Sequence, residues 1–478
     1  MSMPGPHTAA TGHRPAARDR FEPPYPTSRS RHVEDTKTVA KRNVTPHGAR
    51  ASREPAAWRT WLLIGATGFG GPAGQLALLH REVVDRRRWL DEAEFGAATQ
   101  LCMLLPGPEA QQLATYAGWR IGGLPGGLLA GTLFVLPGAV IVTALAWLHA
   151  AGASLPLVAA AFAGTRPAVL ALVVAAAWRI GRRAISSDTA TVICLLAALA
   201  FAGGISLPPV VALAAACGWF APGLLTDMPA LMPDPGRAGT GPRLAADIRR
   251  AVAVTTGFVA VWVGAYMAVA GIGLAGGRGA SLATLFTETT LLSFGGAYTV
   301  VPWALDEGLT RGWLGPVERA DALAAGEATP GPLILVVTFI GFLAGWKADA
   351  VSPAQAGLEG AAVATLFAFI PSFALVLSLA PFVRALMISR RPAAALNAVG
   401  AVVVAAIAVL AVKLARDALL PSGRLDPLAI IVAAASLVAL VRFKSPAVLV
   451  VAAAAAIRVV ATLATGYREH NAFDVFGG

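Results

Sequence analysis

The sequence predicts an all-α polytopic membrane protein made of two inverted-topology repeats with broken or re-entrant helices. Three observations carry this. Of 478 residues, 56% are apolar and only 14% charged, too little polar surface for a soluble chain of this length to cover its cores. Two glycine–proline signatures occur twice, in the same order. Gly68-Phe69-Gly70-Gly71-Pro72 and Leu105-Pro106-Gly107-Pro108 are answered by Ser293-Phe294-Gly295-Gly296-Ala297 and Thr329-Pro330-Gly331-Pro332 at shifts of 225 and 224. Finally, Arg and Lys cluster in alternate loops between apolar stretches, as the positive-inside rule requires.

Residues 1–54 hold ten Arg or Lys and five Asp or Glu among many Pro, Ser and His. They form no apolar run after a basic start, so they read as a disordered basic cytoplasmic tail, not a secretory signal. From Trp58 onward the chain shows about 13 apolar elements. The first repeat, within 55–225, gives 58–79, 96–119, 124–149, 155–178, 189–207 and 208–225. A cytoplasmic linker and a connecting transmembrane helix (251–275) occupy 226–280. The second repeat, within 281–478, gives 282–305, 322–346, 356–382, 393–415, 427–441 and 446–465. Most approach the roughly 20 residues a spanning helix needs. Thr132-Leu133-Phe134 with Pro137, answered by Thr365-Leu366-Phe367 with Pro371, extends the repeat. One extra crossing between the units inverts the second, an architecture that recurs in transporters with the substrate near the midplane.

Arg179, Arg182 and Arg183, then Arg237, Arg243, Arg249 and Arg250, then Arg384, Arg390 and Arg391, then Arg442 and Lys444 all fall inside if the N-terminus is cytoplasmic. The C-terminus is then external. Arg81, Arg86, Arg87 and Arg88 fit only if the first two broken elements are re-entrant hairpins, which is the expected arrangement.

Proline ends a helix and is well suited to the first turn of the next. A helix restarting at Pro106-Gly107-Pro108 points the amides of Glu109, Ala110 and Gln111 at the break, where helix N-termini attract anions. Thr329 is expected to N-cap the restart at Pro330-Gly331-Pro332. Gly70-Gly71, before Pro72, and Gly295-Gly296 permit tight turns and close backbone approach, although small-residue helix packing is the simpler use. Glu109 and Glu327 are acidic residues in apolar elements, where they face a pathway or a partner. Gln111 and Gln112 supply neutral donors, and Gln75 and Tyr298 are further candidates for the site. Arg166 and Arg458 also lie in apolar elements and are expected to snorkel to the interface. Glu288 and Glu359 are placed near element ends.

Other classes fit poorly. Net charge is +11, but it sits in loops and the tail, so no nucleic-acid partner is expected. No P-loop or HExxH occurs, the seven His form no metal pattern, and Cys102, Cys194 and Cys217 read as buried free thiols. No enzyme activity, cofactor or metal is expected. The partners are the lipid bilayer, a small anion and protons.

At these residues the chain resembles the chromate transporter (CHR/ChrA) family in its long, two-domain form, from about Trp61 to Arg416. The most specific pieces are Phe69-Gly-Gly-Pro-Ala-Gly-Gln75, His80-Arg-Glu82, Cys102 through Tyr116, Phe294-Gly-Gly-Ala-Tyr298 and Glu327-Ala-Thr-Pro-Gly-Pro-Leu-Ile334. The resemblance implies chromate export across a bacterial plasma (inner) membrane, driven by the proton gradient or membrane potential. Alternatives from the residues alone are a sulfate or other anion transporter or channel, and a non-transporting scaffold or sensor.

Overall fold

In the computed structural model the described residues are 57–152, 155–185, 187–225, 242–383, 390–420 and 423–475. The basic tail, Arg237 and the 384–389 loop lie outside them. Sixteen α-helices and no strand occur among the described residues. Six are long and apolar enough to cross a bilayer. Leu199, Phe220, Val261 and Met267 are among many large apolar side chains left exposed, a surface that lipid solvates.

The first repeat contains α1 (Ala57–Thr67), α2 (Gly71–His80), α3 (Glu92–Leu104), α4 (Glu109–Ala151), α5 (Pro156–Ala184), α6 (Asp188–Ala202) and α7 (Leu207–Phe220). The connecting helix is α8 (Pro242–Ile272). The second repeat contains α9 (Gly279–Leu292), α10 (Val301–Thr310), α11 (Pro316–Ala328), α12 (Val336–Trp346), α13 (Pro353–Leu379), α14 (Arg390–Leu419), α15 (Pro427–Val441) and α16 (Ala447–Val475). Helices α1 and α9, α2 and α10, and α3 and α11 correspond at the sequence shift of the signatures. Helix α4 corresponds to α12 and α13 together.

The broken elements are pairs of half-helices. At 11 residues, α1 is roughly 16 Å long, about half of a bilayer core of roughly 30 Å. Helix α4 folds back on itself where Gly122 and Gly123 leave helical geometry. Gly131 therefore lies against Thr115, and Gly118 against Ala130. Glu94, at the start of α3, accepts hydrogen bonds from Tyr116 and Arg120 near that fold. His80, at the end of α2, bonds Glu92 at 2.8 Å, and Gly65 of α1 packs on Leu133 and Phe134. Both pairs, α1–α2 and α3 with the first part of α4, thus enter from one face and return to it. The second part of α4 then crosses.

The second repeat repeats this from the opposite face. Lys347, after α12, donates to Glu318 at the start of α11. Arg278, before α9, donates to Ala344 O and Lys347 O. His149, at the far end of α4, lies 3.9 Å from Glu318, which identifies this face as the one α4 reaches. Helix α8 starts at the first face, where Arg250 sits over the Trp119 ring, and its single crossing inverts the second repeat. The Arg81–Arg88 turn therefore shares a face with Arg249 and Arg250, as the re-entrant arrangement requires.

Two expectations need correction. Arg166 does not snorkel: its Nε and Nη2 donate to Asp321 at 2.9 and 3.1 Å, and Asp321 is fully buried. Arg166 found a carboxylate on a neighbouring element before it reached water. Arg458 donates to Asp426, the cap of α15, at 2.6 Å and stays 34% exposed. Of the three thiols only Cys102 is buried, and Cys217 is exposed, because α7 turns that side outward.

Candidate transport site at two crossed helix breaks

Each Pro-Gly-Pro break docks on the Phe-Gly-Gly break of the other repeat. The Gly107 N–H donates to Ser293 O at 3.2 Å, and the Gly331 N–H donates to Gly68 O at 3.2 Å. Gly107 matches Gly331, and Gly68 matches Ser293, so two junctions are related by the pseudo-twofold of the repeat. The backbone explains why glycine stands there. Gly70, Gly71, Gly107, Gly295, Gly296 and Gly331 all have φ between +66° and +127°, a region costly for residues with a Cβ.

The first junction is polar. Helix α4 begins at Glu109 after Pro108, so its first amides point back at the break. The Gln112 Nε2 donates to Pro106 O at 2.8 Å, while its buried Oε1 has no partner. The Ser372 hydroxyl of α13 donates to Gln111 Oε1 at 2.7 Å, and Gln111 Nε2 donates to Thr115 Oγ1 at 3.0 Å. A methyl at Gly107 would lie 2.5 Å from Gln112 Nε2 and 2.9 Å from Ser372 Oγ. The carboxylate of Glu109 faces Gly296, whose missing methyl would stand 3.4 Å from Glu109 Oε1.

The second junction is largely apolar. Leu333 and Val336 stand where the first has Glu109 and Gln112. The Gln75 Nε2 donates to Gly331 O at 2.5 Å and to Gly68 O at 3.2 Å, and this buried side chain clamps the two breaks together. Gly138, which matches Ser372, receives Pro330 O so closely that a methyl there would lie 2.1 Å away. Thr329 does not N-cap the restart. It ends α11 with extended backbone (φ −102°, ψ 154°), because the three residues Pro330-Gly331-Pro332 separate it from the turn at Leu333–Leu335.

Not every expected residue joins a junction. Tyr298 and Glu327 form their own hydrogen bond, with Arg179 within electrostatic range. Gly70 and Pro72 lie at the turn into α2, and Gly71 and Gly295 face open space. Ser293 and Ser372 were not among the expected residues. The signal for Ser372 was its place after Pro371, matching Gly138 after Pro137. A network around Asp321 was missed as well. Asp321 pairs with Arg166, His149 Nδ1 lies 3.7 Å from Asp321, and His149 is flanked by Phe162 and Phe339. An Arg in an apolar element was the available signal. A cavity of about 670 Å³ lies elsewhere, between the α6–α7 turn, α10, α11 and α14.

The family model described as "Chromate transporter" matches residues 56–220 and 280–459. A "Chromate transport protein" of Pseudomonas aeruginosa is 32% identical over 76% of this chain and 81% of its own length. One from Cupriavidus metallidurans is 26% identical over 67% and 73%. An "Uncharacterized transporter" of Methanocaldococcus jannaschii is 26% identical over 67% and 74%. No solved structure matches the chain. The chain belongs to the chromate transporter family, a family of transporters rather than enzymes, and is a multi-pass membrane protein.

Proposed function

We propose that this transporter moves chromate or a related tetrahedral oxyanion out of the bacterial cytoplasm, and that the crossed helix breaks hold the anion. The observation that carries this is the reciprocal docking of the breaks, Gly107 N–H on Ser293 O and Gly331 N–H on Gly68 O. Four interrupted helices meet there, and helix N-termini offer an anion free amides and a favourable dipole without a buried lysine. The first junction adds the amides of Gln111 and Gln112. The face bearing Arg81–Arg88, Arg249 and Arg250 is cytoplasmic by the positive-inside rule. The named relatives favour chromate over sulfate, and the site chemistry suits both dianions.

Glu109 is the coupling group in this reading. Among the described residues its carboxylate has no hydrogen-bond partner, and it stands at the N-terminus of α4. A charged Glu109 competes with a dianion for the same positive field; protonation removes that competition. The proton gradient then drives anion movement, with the membrane potential as a second driving force.

The test is saturable chromate flux in proteoliposomes of the purified protein, with sulfate as competitor and an imposed proton gradient. Flux with Gly107→Ala should be lost at normal expression. Absence of wild-type flux would leave the scaffold or sensor reading, and flux indifferent to the proton gradient and unsaturated would make the protein a channel.

A further inference from the structure

A wholly apolar groove of about 370 Å³ runs between α5, α14 and α15. Leu170, Val174, Val412, Ala415, Ala434 and Leu437 line it. Alanines on α14 and α15 stand where larger side chains would close the gap. The groove opens on the lipid-facing surface, since Val412 is 72% exposed and Val174 37%. An empty trough of this kind forfeits dispersion contacts along its walls. In a bilayer the atoms at hand to fill it are those of hydrocarbon chains.

The depth of the groove matches one leaflet. Helix α15 begins at Pro427, so Leu437 lies roughly 15 Å along the helix from that end, about half of a hydrocarbon core of roughly 30 Å. The mouth lies at the face opposite the Arg81–Arg88 turn, where α14 ends and α15 begins. Both carboxylates there are engaged: Asp417 accepts from Arg319, and Asp426 from Arg458. Arg416 and Arg424 are exposed and have no ion pair among the described residues. Arg416 stands one turn beyond Val412 on α14, about 6 Å towards the mouth, and side chains at that spacing are neighbours. It also borders the 670 Å³ cavity, whose wall carries Asp306 and Lys413, so a polar group held by Arg416 would sit at the edge of a polar space. An apolar trough one leaflet deep, with an unmatched guanidinium at its mouth, is complementary to an amphiphile that carries a phosphate.

We infer that this groove is a phospholipid-binding site. One acyl chain lies along Val412, Ala434 and Leu437, and the lipid phosphate accepts from Arg416. The site stands whichever anion is transported.

The experiment is native mass spectrometry of the purified full-length protein titrated with dioleoylphosphatidylglycerol, and with dioleoylglycerol, which has the chains without the phosphate. Wild type should retain one phosphatidylglycerol more tightly than the rest, and hold it roughly tenfold better than dioleoylglycerol, the worth of one charge-assisted hydrogen bond. Arg416→Gln should bring the two lipids level. Ala434→Trp fills the trough from an exposed position and should release both. Leu199→Trp adds the same ring at an exposed site on α6 and should retain lipid as wild type does. Titrations of Arg416→Gln and Ala434→Trp that superimpose on wild type would overturn the site. Equal losses in Ala434→Trp and Leu199→Trp would also overturn it, by reducing the bound lipid to general solvation. Lipid-free wild-type dimers that Ala434→Trp dissociates would give the groove to a second copy of the chain instead.

Discussion

At the first junction Glu109, Gln111, Gln112 and Ser372 surround the Gly107–Ser293 contact. At the second, Leu333, Val336 and Gly138 stand in the matching places around Gly331 and Gly68, and Gln75 is the polar clamp. The backbones are alike in the positive φ of Gly70, Gly71, Gly107, Gly295, Gly296 and Gly331. The side chains are not. Backbone geometry is what the duplicated breaks share, whereas side-chain chemistry has been concentrated on one side of the pseudo-twofold. A small dianion approached by equivalent amides from two repeats would then meet a titratable group in only one of them. Ion pairing shows the opposite bias. Asp321 of the second repeat is buried against Arg166 of the first, while Ala97 occupies the position in the first repeat that matches Asp321. The first repeat's own pair, Glu94 with Arg120, leaves Arg120 43% exposed.

The largest expected effect breaks that second asymmetry. Arg166→Met leaves Asp321 buried without its cation and should cost about 3–5 kcal/mol, with Arg166→Met/Asp321→Leu recovering most of it. Glu94→Gln should cost roughly 1 kcal/mol. Resistance to thermal unfolding in detergent ranks the three, and equal losses for the two single variants would erase the difference.

Next comes the exchange of small residues at the junctions. Gly138→Ser places a hydroxymethyl where only 2.1 Å separates a first carbon from Pro330 O. It should cost about 1–3 kcal/mol as overpacking and abolish chromate flux by displacing the second break. Ser372→Gly removes the donor to Gln111 and should cost about 1 kcal/mol with most flux retained. Comparable flux in the two variants would show that the junctions are not packed as differently as their side chains require.

Glu109→Gln sharpens the chemical asymmetry. Wild-type chromate binding should fall as pH rises, because the carboxylate then charges beside the anion site. Glu109→Gln should bind across that range and flatten the profile of flux against pH. Superimposable profiles would transfer the coupling role to Glu327, which is paired with Tyr298 in the second repeat.

The smallest effect concerns Glu318, at the outer end of α11. Burial raises its pKa, but hydrogen bonds from His149, Lys347 and the Gly315 amide outweigh burial and hold it at about 2. A depressed carboxyl stabilises the fold fully above its ordinary value of 4.5, and that contribution is lost as pH falls through about 2. Because the group is partly solvated, Glu318→Gln should cost only roughly 1 kcal/mol at neutral pH, and the deficit should shrink on acidification. A deficit constant from neutral to strongly acid pH would remove the carboxylate from this network.

The sequence by itself determined the membrane class, the helix breaks and their duplication. Pro removes a helix donor and disfavours the turn before it, and Gly can take the positive φ that a sharp reversal needs, so Gly70-Gly71, Gly295-Gly296, and Gly107 and Gly331 between their prolines, marked the breaks without any tertiary information. It also placed Glu109 at the start of a helix, since the preceding proline dictates where the helix restarts. Which break meets which was decided only in three dimensions. The contacts of Gly107 with Ser293 and of Gly331 with Gly68 join residues from different repeats, through a packing that no local propensity encodes. The same holds for Arg166, whose spacing in an apolar helix fitted snorkelling until Asp321 appeared 155 residues away. Thr329 shows the limit from the other side. A residue suited to cap a helix ends one here, because the next begins beyond a break whose extent the opposite repeat shapes. Backbone restrictions act within a few residues and survive in the sequence; partner choice depends on the pseudo-twofold that brings the two repeats together.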